Sequence, residues 1–249
     1  GGGPVTNVRG KSLQEHDAYV ADLATAVAMC RLAAAGGCDT VVVTPHLRRD
    51  EWPEVTPGRI REATAALQAA VGPAPRLPPG AEIRVYSDLL TDHALPGRER
   101  HLGKSPALLL ELDPWGLGPD PVALVHELRH AGWIPVIAHP EHIPFLAGDP
   151  ELVAHLVAAG ARLQITAASL LGEAGRGARE HARALVDEGL ASLVASDAHG
   201  GDWRPPGLTR ARAEVARLWG EARATELFET APAALLAGAP QARGAGETA

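Results

Sequence analysis

The stretch Ser192-Leu193-Val194-Ala195-Ser196-Asp197-Ala198-His199 decides the fold. Its apolar residues predict a short buried strand, and an aspartate and a histidine separated by one residue follow directly after them. A strand that ends in this way carries a carboxylate and an imidazole to the edge of a sheet, where both can bind a metal ion. The alternative is that Ser196 or Asp197 caps a helix and that His199 is an incidental exposed residue.

The same pattern recurs in three further apolar runs, each of which ends in a potential metal ligand. These runs are Val41 to His46, Ala107 to Glu111 and Ile134 to His139. In parallel α/β folds the carboxyl ends of the strands converge on one face, so ligands that are distant in sequence become neighbours there. Imidazoles and carboxylates together are the ligands expected for Zn, Mn or Fe, whereas a lone histidine at a strand end is more often a hydrogen-bonding loop residue. The candidate ligands from this pattern are His46, Glu111, His139, Asp197 and His199.

Strands alternate with helices along the chain. The strands are predicted near residues 4–8, 40–44, 82–86, 107–112, 134–138, 162–166 and from 192 onward. The helices are predicted at 18–35, from 57, and at 121–131, 151–159, 178–188, 208–218 and 221–228. Such alternation indicates a parallel sheet connected by right-handed crossovers, and therefore a barrel or a doubly wound sheet. We expect residues 1–240 to form a single domain and residues 241–249 to be a disordered tail.

Composition excludes several classes of protein. The formal net charge of -7 argues against a general nucleic-acid binder, which would usually be basic. No apolar run reaches the roughly 18 residues that span a bilayer, and no signal peptide is visible at the N-terminus, so a cytoplasmic protein without membrane insertion is expected. Cys30 and Cys38 are the only cysteines and their spacing indicates no disulfide framework. The sequence does not indicate an oligomeric state.

Two further side chains are candidates for handling substrate. Arg204 follows the strand that carries Asp197, and an arginine at this place can hold a phosphate by two parallel hydrogen bonds, although an ordinary surface arginine is the alternative. His142 follows the turn His139-Pro140-Glu141 and is a candidate proton donor or substrate contact. Alternatively, His142 caps the next helix.

These motifs resemble the polymerase-and-histidinol-phosphatase (PHP) superfamily, and more narrowly its bacterial protein-tyrosine phosphatase branch. The similarity covers nearly the whole chain, from about Asn7 to Leu236. It is carried, in order, by Thr44-Pro45-His46, Ala81-Glu82-Ile83, Leu110-Glu111, Val136-Ile137-Ala138-His139-Pro140-Glu141, Ala195-Ser196-Asp197-Ala198-His199 and Arg204-Pro205-Pro206.

The resemblance implies an α/β fold of a particular kind, a distorted (β/α)7 TIM-like barrel that holds two or three divalent metal ions. For this chain we expect one to three ions. By this match Glu82 bridges metals, Glu111 and His139 complete one site, and His46 with His199 belong to another. Asp197 belongs to the first metal, the one that the family's N-terminal histidine pair binds. The resemblance also implies that Arg204 contacts the substrate phosphate. Glu82 is a weaker candidate from the pattern alone, because it comes first in its predicted strand rather than last.

The N-terminus departs from the family pattern. Members carry a His-x-His pair at the end of the first strand, and here Arg9-Gly10-Lys11 stands in its place. Of the acidic stretch that follows in the family, Asp17, with His16 beside it, remains as a candidate ligand. Two cations in place of two neutral ligands disfavour a metal at that position. Either Arg9 and Lys11 bind phosphate beside a reduced metal site, or hydrolysis has been lost.

The predicted activity is metal-dependent hydrolysis of a phosphate monoester, either on a phosphotyrosine protein or on a small phosphate-bearing molecule. The candidate phosphate-binding residues are Arg9, Lys11, Arg48 and Arg204. Of these, Arg48 belongs to a polar segment that is predicted to form a loop over the mouth of the fold. His142 or a water on the metal would protonate the leaving oxygen. The alternatives are a repurposed enzyme acting on a small biosynthetic intermediate, and a catalytically dead binding protein.

Overall fold

The fold is an α/β arrangement of parallel strands with helices between them. The computed structural model describes residues 5–8, 23–47, 53–85, 89, 101–116, 118–200 and 204–238. The strands are β1 (Val5–Val8), β2 (Thr40–Val43), β3 (His46–Leu47), β4 (Glu82–Arg84), β5 (Ala107–Glu111), β6 (Ile134–Ala138), β7 (Arg162–Thr166) and β8 (Leu193–Ala195). The α-helices are α1 (Leu23–Ala35), α2 (Pro57–Val71), α3 (Pro121–His130), α4 (Pro144–Ala147), α5 (Pro150–Ala158), α6 (Ala167–Leu171), α7 (Arg176–Asp187), α8 (Thr209–Trp219), α9 (Glu221–Thr225) and α10 (Ala231–Leu236). A 3₁₀ turn covers Pro140–His142, and a π-helical turn at Glu226–Thr230 joins α9 to α10.

The sheet follows the order of the chain. β1 pairs with β2, β3 to β8 form a six-stranded sheet in sequence order, and every pairing is parallel. The predicted parallel α/β fold is therefore confirmed. The sequence predicted one strand at 40–44 where the structure has β2 and then β3, because Pro45 has no N–H with which to continue the ladder. The neighbouring backbone still bonds to both pieces, since Gly80 N donates to Val43 O and Glu82 N donates to Pro45 O.

The strands bury apolar side chains on both of their faces, as parallel sheets do when helices cover them. The larger cluster lies between the sheet and the helices, and Phe228, Ile83 and Leu163 are among its fully buried members. A smaller cluster includes the alternate side chains of the strands, and its buried members are Val42, Leu102, Ala107, Leu109, Val136, Ala138, Leu193 and Leu235. The alternation along β5 and β6 assigns successive residues to one cluster or the other. The polar side chains stand at the ends of the strands.

Several helices begin where the sequence places an oxygen-bearing cap before a proline. Thr56 accepts a hydrogen bond from Arg59 N at the start of α2, Asp120 accepts from Ala123 N at α3, and Asp149 accepts from Leu152 N at α5. In each case a proline occupies the first helical position, where its missing N–H costs nothing. These caps fix where each crossover leaves the sheet. Across the part of the chain that the structure describes, no helix combines the length and apolar composition required to cross a bilayer.

The two cysteines are buried free thiols, which agrees with the expectation that they form no disulfide. Burial raises the pKa of each thiol from 9.0 to about 11, and the charge of Asp39 also raises that of Cys38. The thiolate fraction at pH 8 is therefore about 100-fold lower than in the unfolded chain. We expect iodoacetamide to label the native protein at least that much more slowly than the urea-unfolded protein.

The same thiols make stability depend on pH. The unfolded chain releases these protons near pH 9 and the folded chain only near pH 11. The free energy of unfolding should therefore decrease as the pH rises from 9 to 11. Urea titrations of the Cys30→Ala, Cys38→Ala double variant provide the control, because this part of the decrease should be absent. Rapid labelling of the folded protein at pH 8 would contradict the burial of the thiols.

Candidate metal centre

Four candidate ligands from neighbouring strands meet: His46 and Glu82 begin β3 and β4, Glu111 ends β5, and His139 directly follows β6. Ligand atoms of His46, Glu82 and Glu111 all lie within 4.8 Å of one another. The two carboxylate oxygens of Glu82 lie next to different imidazoles: Oε2 is 2.9 Å from His46 Nδ1, and Oε1 is 3.3 Å from His139 Nε2. Glu111 Oε2 is 3.9 Å from His46 Nδ1. One carboxylate thus stands between two histidines from different strands.

Strand register explains why Glu82 belongs to this cluster although it begins its strand. In the parallel ladder His46 is the Cα partner of Glu82, so the two residues stand at the same level of the sheet. Arg84, two residues further along β4, is the partner of Glu111. The strands are therefore staggered, and the first residue of β4 reaches the level at which β3 begins. Glu82 is fully buried, so its carboxylate requires compensating groups of the kind that surround it.

The chemistry of this donor set fits a divalent metal ion. Two imidazoles and two carboxylates from neighbouring strands are ligands typical of Zn, Mn and Fe sites. Because the ligand atoms of His46, Glu82 and Glu111 lie within 4.8 Å of one another, a single ion could contact these three residues. The fit is to this class of metal and does not select one element.

Asp197 and His199 lie beyond the end of β8. Asp197 is buried, and its Oδ2 accepts a hydrogen bond from Arg204 Nη1 at 3.0 Å. His199 Nδ1 lies 2.7 Å from Asp197 O, and because a carbonyl can only accept, the ring donates through Nδ1. In a neutral imidazole this leaves the lone pair on Nε2, the arrangement that orients histidine as a metal ligand. Asp197 does not cap a helix, since α8 begins only at Thr209.

Three candidate residues share an unusual backbone conformation. His139, Asp197 and Arg204 have φ angles of 35°, 50° and 51°, and among the residues that the structure describes they are the only non-glycine residues with positive φ. This left-handed region costs energy for residues with a Cβ, and strain of this kind clusters at functional sites. The backbone therefore marks the same region as the side chains do.

His142 is held by a chain of buried hydrogen bonds. Glu141 Oε1 accepts from both Thr166 N and Thr166 Oγ1, each at 2.8 Å. Thr166 Oγ1 lies 2.6 Å from Ser169 Oγ, and Ser169 Oγ lies 3.1 Å from His142 Nε2. Since the threonine proton is used on the carboxylate, Ser169 must donate to Thr166 and accept from His142. This assigns a hydrogen to His142 Nε2 and leaves Nδ1 as the acceptor of the neutral ring.

The surroundings also favour the neutral form of His142. Burial is the main cause that lowers its pKa below the ordinary value of 6.5, against the opposing charge of Glu141. The positive charge of Arg204 lowers it further.

The interpretation of His142 as a helix cap is wrong, because α4 begins after Ile143 and no side chain caps it. Instead, His142 Nε2 is hydrogen-bonded to Ser169 Oγ. The His142 ring lies edge-on to that of His139, with 6.0 Å between the ring centres.

The hydrogen-bond chain gives a prediction about stability. Thr166→Val keeps the shape of the side chain and removes the hydroxyl that donates to the buried Glu141 carboxylate. We expect the free energy of unfolding to fall by about 1.5–3 kcal/mol, the usual contribution of a hydrogen bond to a charged group. Urea denaturation measures it, and Thr230→Val, at an exposed position, is the matched control. Equal stability of both variants would show that Glu141 does not depend on this hydroxyl.

Arg84 and the side chains that support His142 were not predicted from the sequence. Arg84 Nη1 is 3.6 Å from Glu111 Oε1, and Arg84 Nη2 donates to Asp113 Oδ2 at 2.6 Å. The spacing of two residues between Glu82 and Arg84 in a strand was a usable signal, because it places both side chains on one face. Ser169 gave no such signal, since its role depends on the hydrogen bond that its hydroxyl makes with His142 in the distant 3₁₀ turn.

The substrate-binding candidates Arg9, Lys11 and Arg48 and the ligand candidate Asp17 lie outside the described residues, as does the predicted tail at 241–249. The contribution of these side chains stays a prediction.

Fold and site together define a class: a parallel α/β protein with a histidine and carboxylate centre suited to divalent metals. Residues 12–237 match the profile of the family described as capsular polysaccharide synthesis, CpsB/CapC. The chain belongs to this family. The predicted relationship to the bacterial tyrosine-phosphatase branch of the PHP superfamily is thereby confirmed.

Known relatives support this placement. The tyrosine-protein phosphatase YwqE of Bacillus subtilis (strain 168) is 33% identical over 181 residues, which are 72% of this chain and 70% of that protein. A crystal structure from work on YwqE of Bacillus subtilis and CpsB of Streptococcus pneumoniae, termed unique metal-dependent tyrosine phosphatases, matches with a TM-score of 0.79. It is 30% identical and covers 88% of each chain. An organophosphorus hydrolase variant from Deinococcus radiodurans shares the fold alone, with a TM-score of 0.57, 15% identity, and coverage of 94% of this chain and 92% of its own.

Proposed function

We propose that this protein is a metal-dependent phosphatase that hydrolyses phosphotyrosine in proteins. The observation that carries the proposal is the position of the Glu82 carboxylate, whose two oxygens lie beside His46 and His139. A carboxylate between two histidine ligands is suited to bridge two metal positions. The family and the activity named for its relatives supply the reaction class.

The residues that would hold metal are His46, Glu82, Glu111 and His139, with Asp197, His199 and Asp17 as further ligands. We propose one to three ions per chain, drawn from Mn, Zn or Fe. When bound, such ions supply Lewis acidity and lower the pKa of a coordinated water toward neutrality. We also propose that the sheet closes as a distorted (β/α)7 barrel, since β1 contacts β8 as well as pairing with β2.

We assign phosphate binding and proton transfer to other side chains. Arg204 would hold the phosphate through its planar guanidinium, and its hydrogen bond to Asp197 keeps it beside the ligands. His142, whose Nε2 is hydrogen-bonded to Ser169, would accept at Nδ1 the proton released by the attacking water and then deliver it to the leaving tyrosine oxygen. Arg9, Lys11 and Arg48 would add positive charge for the phosphate.

The test is phosphate release from a phosphotyrosyl peptide after loading with Mn²⁺, Zn²⁺ or Fe²⁺. We expect turnover that a chelator abolishes and that returns when metal is added back. A phosphoseryl peptide of the same sequence is the matched control for substrate class. If a folded, metal-loaded protein releases no phosphate from either peptide, the hydrolase function is excluded.

A further inference from the structure

A cavity of about 770 Å³ lies beside the candidate metal centre. His142 and Arg204 line this cavity. The same two residues belong to the metal region, because His142 lies edge-on to His139 and Arg204 donates to Asp197. A phosphate held by Arg204 would therefore stand at the entrance between the centre and the cavity.

The cavity is too large for phosphate alone. Pockets that enclose a whole organic ligand usually measure about 300–1,000 Å³, and this one falls within that range. The cavity therefore has room for a sizeable body beyond the phosphate. A small alkyl phosphate would leave most of the space to water.

Part of the cavity wall is apolar and made mainly of small side chains. It is formed by Ala167, Ala168, Leu171, Ala174 and Pro205. Small side chains leave room for a flat ring, and a ring buried against them gains from the removal of its apolar surface from water. At the rim, Arg210 Nη1 donates to Glu173 Oε1 at 2.6 Å, so this ion pair bounds the cavity where it meets solvent.

We infer that this cavity, the leaving-group pocket, binds the aromatic ring of phosphotyrosine, and that Ala168 and Leu171 set the preference for aryl over alkyl phosphate esters. The inference rests on the proposed function and extends it to the part of the substrate that leaves. The ring lies against α6, while the phosphate stays with Arg204. Selectivity then comes from the apolar wall and not from the metal ligands.

The first experiment narrows the pocket with Ala168→Leu. We expect kcat/KM for a phosphotyrosyl peptide to fall by about 10- to 200-fold, the range over which small steric changes in an apolar pocket act. With glycerol phosphate, kcat/KM should change less than about twofold, because its body does not reach the wall. Ala184→Leu, at an exposed position of α7, is the matched control and should change neither value.

The second experiment measures binding, so that the pocket is tested apart from turnover. Calorimetry on the metal-loaded protein should show that benzylphosphonate binds more tightly than methylphosphonate. Ala168→Leu and Leu171→Ala should each weaken only the binding of benzylphosphonate. If this binding pattern is observed but no substrate is hydrolysed, the pocket is supported and only the proposed phosphatase function fails. Equal binding of the two phosphonates, or equal losses for both in folded variants, overturns the pocket.

Discussion

Glu82→Gln should remove both the metal and the activity. The substitution keeps the size of the side chain and replaces the carboxylate that lies between His46 and His139. An amide offers one oxygen and no charge, so it cannot serve two cations as a carboxylate does. We expect metal per chain to drop by at least one ion and kcat/KM for a phosphotyrosyl peptide to fall more than about a hundredfold, beyond what loss of an outer-shell partner costs.

Elemental analysis after dialysis gives the metal content, and phosphate release gives the rate. Glu127→Gln, on the exposed side of α3, is the matched control and should keep both values. Thermal unfolding followed by circular dichroism separates loss of metal from loss of fold. A folded Glu82→Gln protein with full metal content and full activity would remove the basis for the proposed centre.

The sequence predicted the elements of this fold more readily than their register. Apolar runs and capped helix starts, such as Thr56 before Pro57, are local signals, and the structure follows them. The stagger between strands is not local, because it depends on how the whole sheet twists and packs. For this reason the pattern ranked Glu82 low, whereas the ladder places it beside His46.

In the candidate site, too, local features could be predicted from the sequence and features that depend on tertiary contacts could not. Ligands at strand ends could be predicted, since a strand delivers its last residues to one edge of the sheet. The chain of hydrogen bonds that fixes the His142 tautomer could not, because it joins Glu141, Thr166 and Ser169 through buried contacts between two elements. The pairing of Arg204 with Asp197 was equally invisible, although each residue alone was a candidate.

Arg204→Lys should lower kcat/KM for phosphotyrosyl substrates by about a hundredfold, mainly through a higher KM. Lysine keeps the charge but loses the planar fork that can bind two phosphate oxygens while Nη1 stays on Asp197. The loss corresponds to about 2.7 kcal/mol, within the range for charge-assisted hydrogen bonds. Steady-state phosphate release measures it, and Arg176→Lys, at an exposed position of α7, is the control.

The Arg204→Gly variant separates the contribution of the guanidinium group from that of the turn backbone at this position. Arg204 has a φ of 51°, which glycine adopts without strain, so this variant retains the turn while losing the side chain. We expect a loss greater than that of Arg204→Lys, with partial recovery when guanidinium is added at millimolar concentrations. If activity is retained in Arg204→Gly, another cation must hold the phosphate, and Arg9, Lys11 and Arg48 become the groups to substitute next.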